Sequence, residues 1–145
     1  MNTGFFKGKK ITVMGLGLLG RGVGDVRFLA ESGAEVTVTD LKSEKELEPS
    51  LDILKPYPNI RYVLGRHDKA DFQKTDMVLK AAGVPADSPF IEEARKNNVP
   101  VYMSTALFAQ LSGVQVIGIT GTRGKSTVTQ MIYEEIGRAS CRERV

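Results

Sequence analysis

Twice in this chain a short apolar, β-branched run ends in glycines and gives way to a helical pattern. The first runs from Lys9 to Met14 and into Gly15-Leu16-Gly17-Leu18-Leu19-Gly20. The second runs from Val114 to Ile119 and into Gly121-Thr122-Arg123-Gly124-Lys125-Ser126. A strand that feeds a helix through a glycine turn is a narrow architectural choice. The glycines let backbone N–H groups approach an anion, and the helix N-terminus turns its positive end toward it. Both features therefore predict an α/β chain with anion sites at strand ends.

After the first turn, Leu19, Val23, Val26 and Ala30 fall on one helical face, and Gly33 stands where that helix should stop. Glu35 to Thr39 alternates and ends at Asp40, twenty residues past Gly20. The result is a β-α-β unit with G-x-G-x-x-G in its first turn and an acid closing its second strand, the Rossmann-type fingerprint. Asp40 can accept hydrogen bonds from a ribose hydroxyl or a base N–H. The plain alternative is a turn that packs helix on strand, with Asp40 a polar strand end.

The second turn departs from the strict G-x-x-x-x-G-K-[ST] pattern, because Ile119 stands where the first glycine belongs. It is the shorter G-T-x-G-K-S form. Lys125 supplies a point charge for phosphates and the Ser126 hydroxyl can reach Mg²⁺. Val128, Met131, Ile132 and Ile136 recur at helical spacing, so the loop opens an amphipathic helix. The alternative is a tight turn with an exposed lysine.

Between the two turns, strand and helix alternate. Ser43 to Leu54 reads as a charged surface helix closed by Pro56 and Pro58, and Ile60 to Leu64 as a third strand. His67, the single histidine, falls in the turn Gly65–Asp68 and is expected to be solvated, neither base nor ligand. Asp76 to Ala82 is a fourth strand with Gly83 at its C-terminal end. Ser88-Pro89 opens a helix to about Asn97, Pro100 to Tyr102 is a fifth strand, and Ser104 caps a helix ending near Gly113. This order predicts a Rossmann-like parallel sheet with helices on both faces, followed by the first strand, phosphate loop and helix of a truncated ATPase domain.

Composition removes other readings. The formal net charge is +3, of which the last nine residues carry +2 through Arg138, Arg142 and Arg144 against Glu143. The basic balance is thus a tail effect and gives no nucleic-acid surface. The only cysteine, Cys141, is also in that tail, so the body has neither a disulfide framework nor a thiolate metal site. The apolar run Ile11–Leu19 is too short to cross a membrane and lacks a cleavage pattern. A cytoplasmic monomer without nucleic-acid or membrane partners is expected. Residues 137–145 resemble the translation of a sequencing adaptor and read as a non-native tail.

Two phosphate loops in one chain suit neither a dehydrogenase, which needs only the first, nor an ordinary ATPase, which needs only the second. Over residues 5–136 the chain resembles the Mur ligase family of peptidoglycan synthesis, in its D-glutamate-adding branch. Gly15–Gly20, Asp40, Leu107-Phe108 and above all Gly118–Thr129 carry the resemblance. It implies that residues 1–113 hold the UDP part of a muramoyl substrate, that 114–136 begin a domain for Mg²⁺ and ATP, and that the amino-acid site lies elsewhere. It places the backbone of Gly17, Leu18 and Leu19 on the diphosphate, Asp40 and Lys42 on the uridine, and Gly83 in the same crevice. Gly121, Thr122, Arg123, Gly124, Lys125, Ser126 and Thr127 would wrap ATP, with Lys125 the catalytic cation on the β/γ-phosphates and Ser126 toward Mg²⁺. The implied substrates are UDP-N-acetylmuramoyl-L-alanine and D-glutamate, joined through an acyl phosphate. The polypeptide as it stands is expected not to ligate. Departures are Arg123 where the family has Asn, Ala81-Ala82-Gly83 where it has Ser-Pro-Gly, and Ala106 in place of an acid. Competing readings are an L-alanine-adding member, an NAD-dependent oxidoreductase domain and a nucleotide-sensing module.

Overall fold

The computed structural model describes residues 3–18 and 20–142. The chain divides into two compact units, Met1–Gly113 and Val114–Val145. Leu19 and residues 143–145 lie outside the described residues.

The first unit is a five-stranded parallel sheet in the order β3-β2-β1-β4-β5. Its elements are β1 (Lys10–Met14), α1 (Arg21–Glu31), β2 (Glu35–Asp40), α2 (Glu44–Leu54), β3 (Ile60–Leu64), α3 (Ala70–Gln73), β4 (Met77–Lys80), α4 (Pro89–Lys96), β5 (Val101–Tyr102) and α5 (Ser104–Ser112). β1 lies between β2 and β4, with Met14 beside Thr39 on one side and Lys80 on the other. The strand order reverses at β1, so the β1–β4 gap is the switch point of the sheet.

Period-two alternation sends each strand's residues to opposite faces. Ile11, Val13, Val36, Val38, Met77 and Leu79 join Val26 and Leu29 of α1, Leu47 of α2 and Leu107 of α5 in the larger core. Met14 and Val78 face the other way, onto Phe72 of α3 and Ile91 and Ala94 of α4. That second core takes no residue from β2 or β3. The reason is in their sequence, where Thr37, Thr39 and Arg61 occupy the alternate positions. Helices therefore cover both faces, but the second one only over β1, β4 and β5.

Local signals explain most element ends. In α2, Ser43 N and Oγ both donate to Glu46 Oε2, at 2.8 and 2.7 Å, a capping arrangement that satisfies an otherwise orphaned amide. Pro89 starts α4 and Gly113, at φ 66°, ends α5. α3 has only four residues, too few to show periodicity; it is held by the fully buried Phe72 and by Ala70 N donating to Asp68 Oδ1 at 3.0 Å.

The second unit holds α6 (Lys125–Arg142). Its backbone helix runs past the expected end at 136. Val114–Ile119, expected as a strand, is not one; Val114, Val116 and Ile117 are exposed. An extended segment becomes a strand only by pairing its N–H and C=O groups with a neighbour. Among the described residues of that unit no strand offers such a pairing.

Candidate functional site

A crevice of about 760 Å³ opens at the C-terminal ends of the strands. It is bounded by the glycine loop after β1, the ends of β2 and β4, and the start of α5. This is where open parallel sheets take ligands, at the point of reversed strand order.

The glycine loop is built from outside itself. Asp40, 8% exposed at the end of β2, accepts Leu16 N and Gly17 N on Oδ2, at 2.8 and 3.1 Å. Its Oδ1 accepts Lys42 N at 2.9 Å. A carboxylate has about four lone-pair sites, so three are committed to the chain's own backbone. Two loop amides thus face Asp40 rather than a ligand, the Gly17 amide among them. From α2, buried Ser50 donates to Gly17 O at 3.0 Å. The loop is pinned at its amides and at a carbonyl.

Close packing completes the turn. A Cβ on Gly22, in the first turn of α1, would lie 2.1 Å from Leu16 O. Only a hydrogen fits there, so Gly22 lets the helix sit against the loop. Gly15, at φ 93°, has the Cβ of Ala81 2.9 Å from where its own would be. The β1 and β4 turns therefore touch across the switch point. α1 has no side-chain cap, which leaves its first-turn amides to solvent or ligand. Leu18 is 53% exposed and makes no hydrogen bond among the described residues. The diphosphate contact expected of Leu19 lies outside them.

Of the other expected residues, Lys42 is exposed, its amide held by Asp40 and its carbonyl accepting Gly65 N at 2.9 Å. Gly83 lines the crevice with open space around it. His67 corrects the reading of a solvated loop histidine. It is half-buried on the crevice wall, Nδ1 2.6 Å from the buried Thr39 hydroxyl, its ring edge-on to Phe90 at 5.0 Å. Burial pushes its pKa below 6.5, and the charge of Asp40 opposes this. Nothing local in Gly65–Asp68 signals this, because β2 and α4 supply the partners.

Ser104 is a second correction. Met103 takes the N-cap position of α5. Ser104 instead faces the carboxyl of Asp25 on α1, whose pKa burial raises above the usual range while Ser104 and Arg21 act to lower it. Asp25 and Ser104 stand between the crevice and a second, mostly apolar pocket of about 350 Å³.

In the second unit, Gly121 to Thr127 are all exposed. Lys125 Nζ donates to Gly121 O at 2.5 Å and Val128 N to Gly124 O at 3.0 Å. Lys125, Ser126 and Thr127 form the first turn of α6, which carries no acid. Nucleotide phosphates suit that chemistry. The Ser126 hydroxyl could reach Mg²⁺ here; among the described residues no group of three His, Cys, Asp or Glu could hold a metal. No helix among the described residues is long and apolar enough to cross a membrane.

Residues 9–103 match a family model described as Mur ligase MurD-like, N-terminal domain. A UDP-N-acetylmuramoylalanine–D-glutamate ligase of Roseiflexus sp. (strain RS-1) is 42% identical over 86% of this chain and 27% of its own length. The enzyme of the same name from Borreliella burgdorferi (strain ZS7) is 39% identical over 90% of this chain and 28% of its own. Among solved structures, a pseudomurein peptide ligase type C from Methanothermus fervidus aligns with TM-score 0.57 and 30% identity, over 86% of this chain and 25% of that one. The chain thus spans little more than a quarter of the length of these relatives.

Proposed function

Because the chain belongs to the MurD-like Mur ligase family through its N-terminal domain, we propose that it is the substrate-binding front of the ligase that adds D-glutamate to UDP-N-acetylmuramoyl-L-alanine. The observation that carries this reading is the crevice at the β1–β4 switch point, with an uncapped helix N-terminus over a glycine loop pinned by Asp40 and Ser50. The diphosphate sits on the Leu18 and Leu19 amides and the first turn of α1. The uridine lies toward Asp40, through its one uncommitted lone pair, and toward Lys42. Gly83 leaves room on the β4 side. The exposed side chains of Leu18 and Leu41 supply apolar lips for the base and sugar. An NAD reader uses its acid on a ribose 2′-hydroxyl. Asp40 keeps one lone pair for a ligand and uses the other three to shape the loop.

Residues 114–136 begin the ATP-binding domain in this reading, and 137–145 are a non-native tail. The phosphates lie along Gly121–Thr127, Lys125 on the β/γ pair, Arg123 beside them and Ser126 toward Mg²⁺. Bound ATP supplies a phosphoryl group that turns the substrate's terminal carboxylate, a poor electrophile, into an acyl phosphate. The amine of D-glutamate forms the amide bond, and inorganic phosphate leaves. Lys125 stabilises charge on the transferring group. The amino-acid site and further Mg²⁺ ligands belong to the parent enzyme.

Calorimetric titration of the 145-residue chain tests the reading. UDP-N-acetylmuramoyl-L-alanine should bind one-to-one and NADH should not compete. Tight NADH binding with none for the sugar nucleotide would overturn it.

A further inference from the structure

We propose that Lys80 is a ligand-binding residue of the crevice, the cation that selects a nucleoside diphosphate over the nucleoside alone. This rests on the sugar-nucleotide reading above. Lys80 closes β4 beside Met14, on the opposite side of β1 from Asp40. It is half-buried, lines the crevice, and its Nζ donates to Val84 O at 2.9 Å. It joins no ion pair among the described residues.

Among the described residues no carboxylate of the crevice partners it. Asp40 accepts three backbone amides, and neither it nor Asp25 of α1 is within ion-pair distance of Lys80. A half-buried ammonium with one carbonyl partner keeps two unfilled donors and an uncompensated charge. Lysines without a structural anion normally carry the ammonium out to water, as exposure allows for the crevice's other cations, Arg21 and Lys42. Lys80 is held in the crevice lining instead, by a carbonyl that an incoming anion can replace.

A helix N-terminus carries about half an elementary charge, less than a diphosphate brings, so a second positive pole strengthens its hold. The start of α1 supplies one, directly after the β1 loop. Lys80 supplies the other from β4, whose turn touches that loop at Gly15 and Ala81. A diphosphate spanning the switch point meets both, and a nucleoside meets neither.

The test is titration of the full chain with UDP and with uridine, the weaker ligand followed by chemical-shift changes. Lys80→Met should weaken UDP binding by roughly tenfold or more and flatten its salt dependence. Uridine affinity should not change, and Lys80→Arg should keep most of the UDP affinity. Equal losses for both ligands would mean that Lys80 only braces the 81–84 turn, and would overturn the proposal. So would unchanged UDP binding by Lys80→Met. If the unaltered chain bound neither ligand, the sugar-nucleotide reading itself would fail and take this inference with it.

Discussion

The two glycine turns look alike as strings of residues and differ as objects. The turn after β1 is held by Asp40 from β2, Ser50 from α2 and the Gly22 contact in α1. Among the described residues the turn before α6 shows bonds between near neighbours, Lys125 to Gly121, Val128 to Gly124 and Thr129 to Lys125, and every residue from 121 to 127 is exposed. The comparison teaches that a phosphate-loop motif specifies backbone freedom and helix polarity. Rigidity comes from residues distant in sequence. In the first unit those residues are present; in the second the apolar positions of α6, Val128, Met131 and Ile136, are exposed.

The sharpest way to break this contrast is Gly22→Ala. With Leu16 O 2.1 Å from the new methyl, helix and loop must separate, and thermal unfolding should show a loss of roughly 3–5 kcal/mol. A wild-type melting curve would show that the loop is not packed as described. Asp40→Ala comes next. It strips partners from the Leu16, Gly17 and Lys42 amides, at about 2–4 kcal/mol, and should abolish UDP binding even where the protein remains folded.

A smaller effect follows acidification. The His67 pKa lies below 6.5 in the folded chain, so the unfolded chain takes up the proton first. Stability is unaffected above that pH and falls as pH drops from about 6.5 through the folded value. His67→Gln should remove that slope from unfolding curves. The lone histidine's ring resonance should titrate with a midpoint under 6.5. The smallest effect is predicted for Lys125→Ala. Its side-chain bond to Gly121 is exposed and local, so the unfolding free energy should change by less than about 0.5 kcal/mol. A large loss would show that the second loop is braced after all.

Much of the fold was legible because periodicity reports which residues must leave water. The β-branched runs at 10–14, 35–40 and 60–64 and the helix starts at Ser43 and Pro89 are local decisions. α3 was not legible, since four residues carry no period and its anchor is a tertiary contact of Phe72. The 114–119 run has strand composition but forms no strand, because β propensity needs a partner strand to become structure. At the site, Gly15, Gly17 and Asp40 stood out by spacing. Ser50, His67, Lys80 and Gly22 did not, as their meaning lies in what faces them from other elements.

By itself, the order of residues determined a parallel α/β unit and a glycine turn at the head of a helix, because hydrophobic period and glycine's freedom act over a few residues. Only the tertiary structure decided that the Asp40 carboxylate would shape that turn from within, and that Lys80 would line the crevice without an ion-pair partner among the described residues. Hydrogen bonds and charges are settled by distance in space, and neighbours in space are chosen by the packing of the whole sheet.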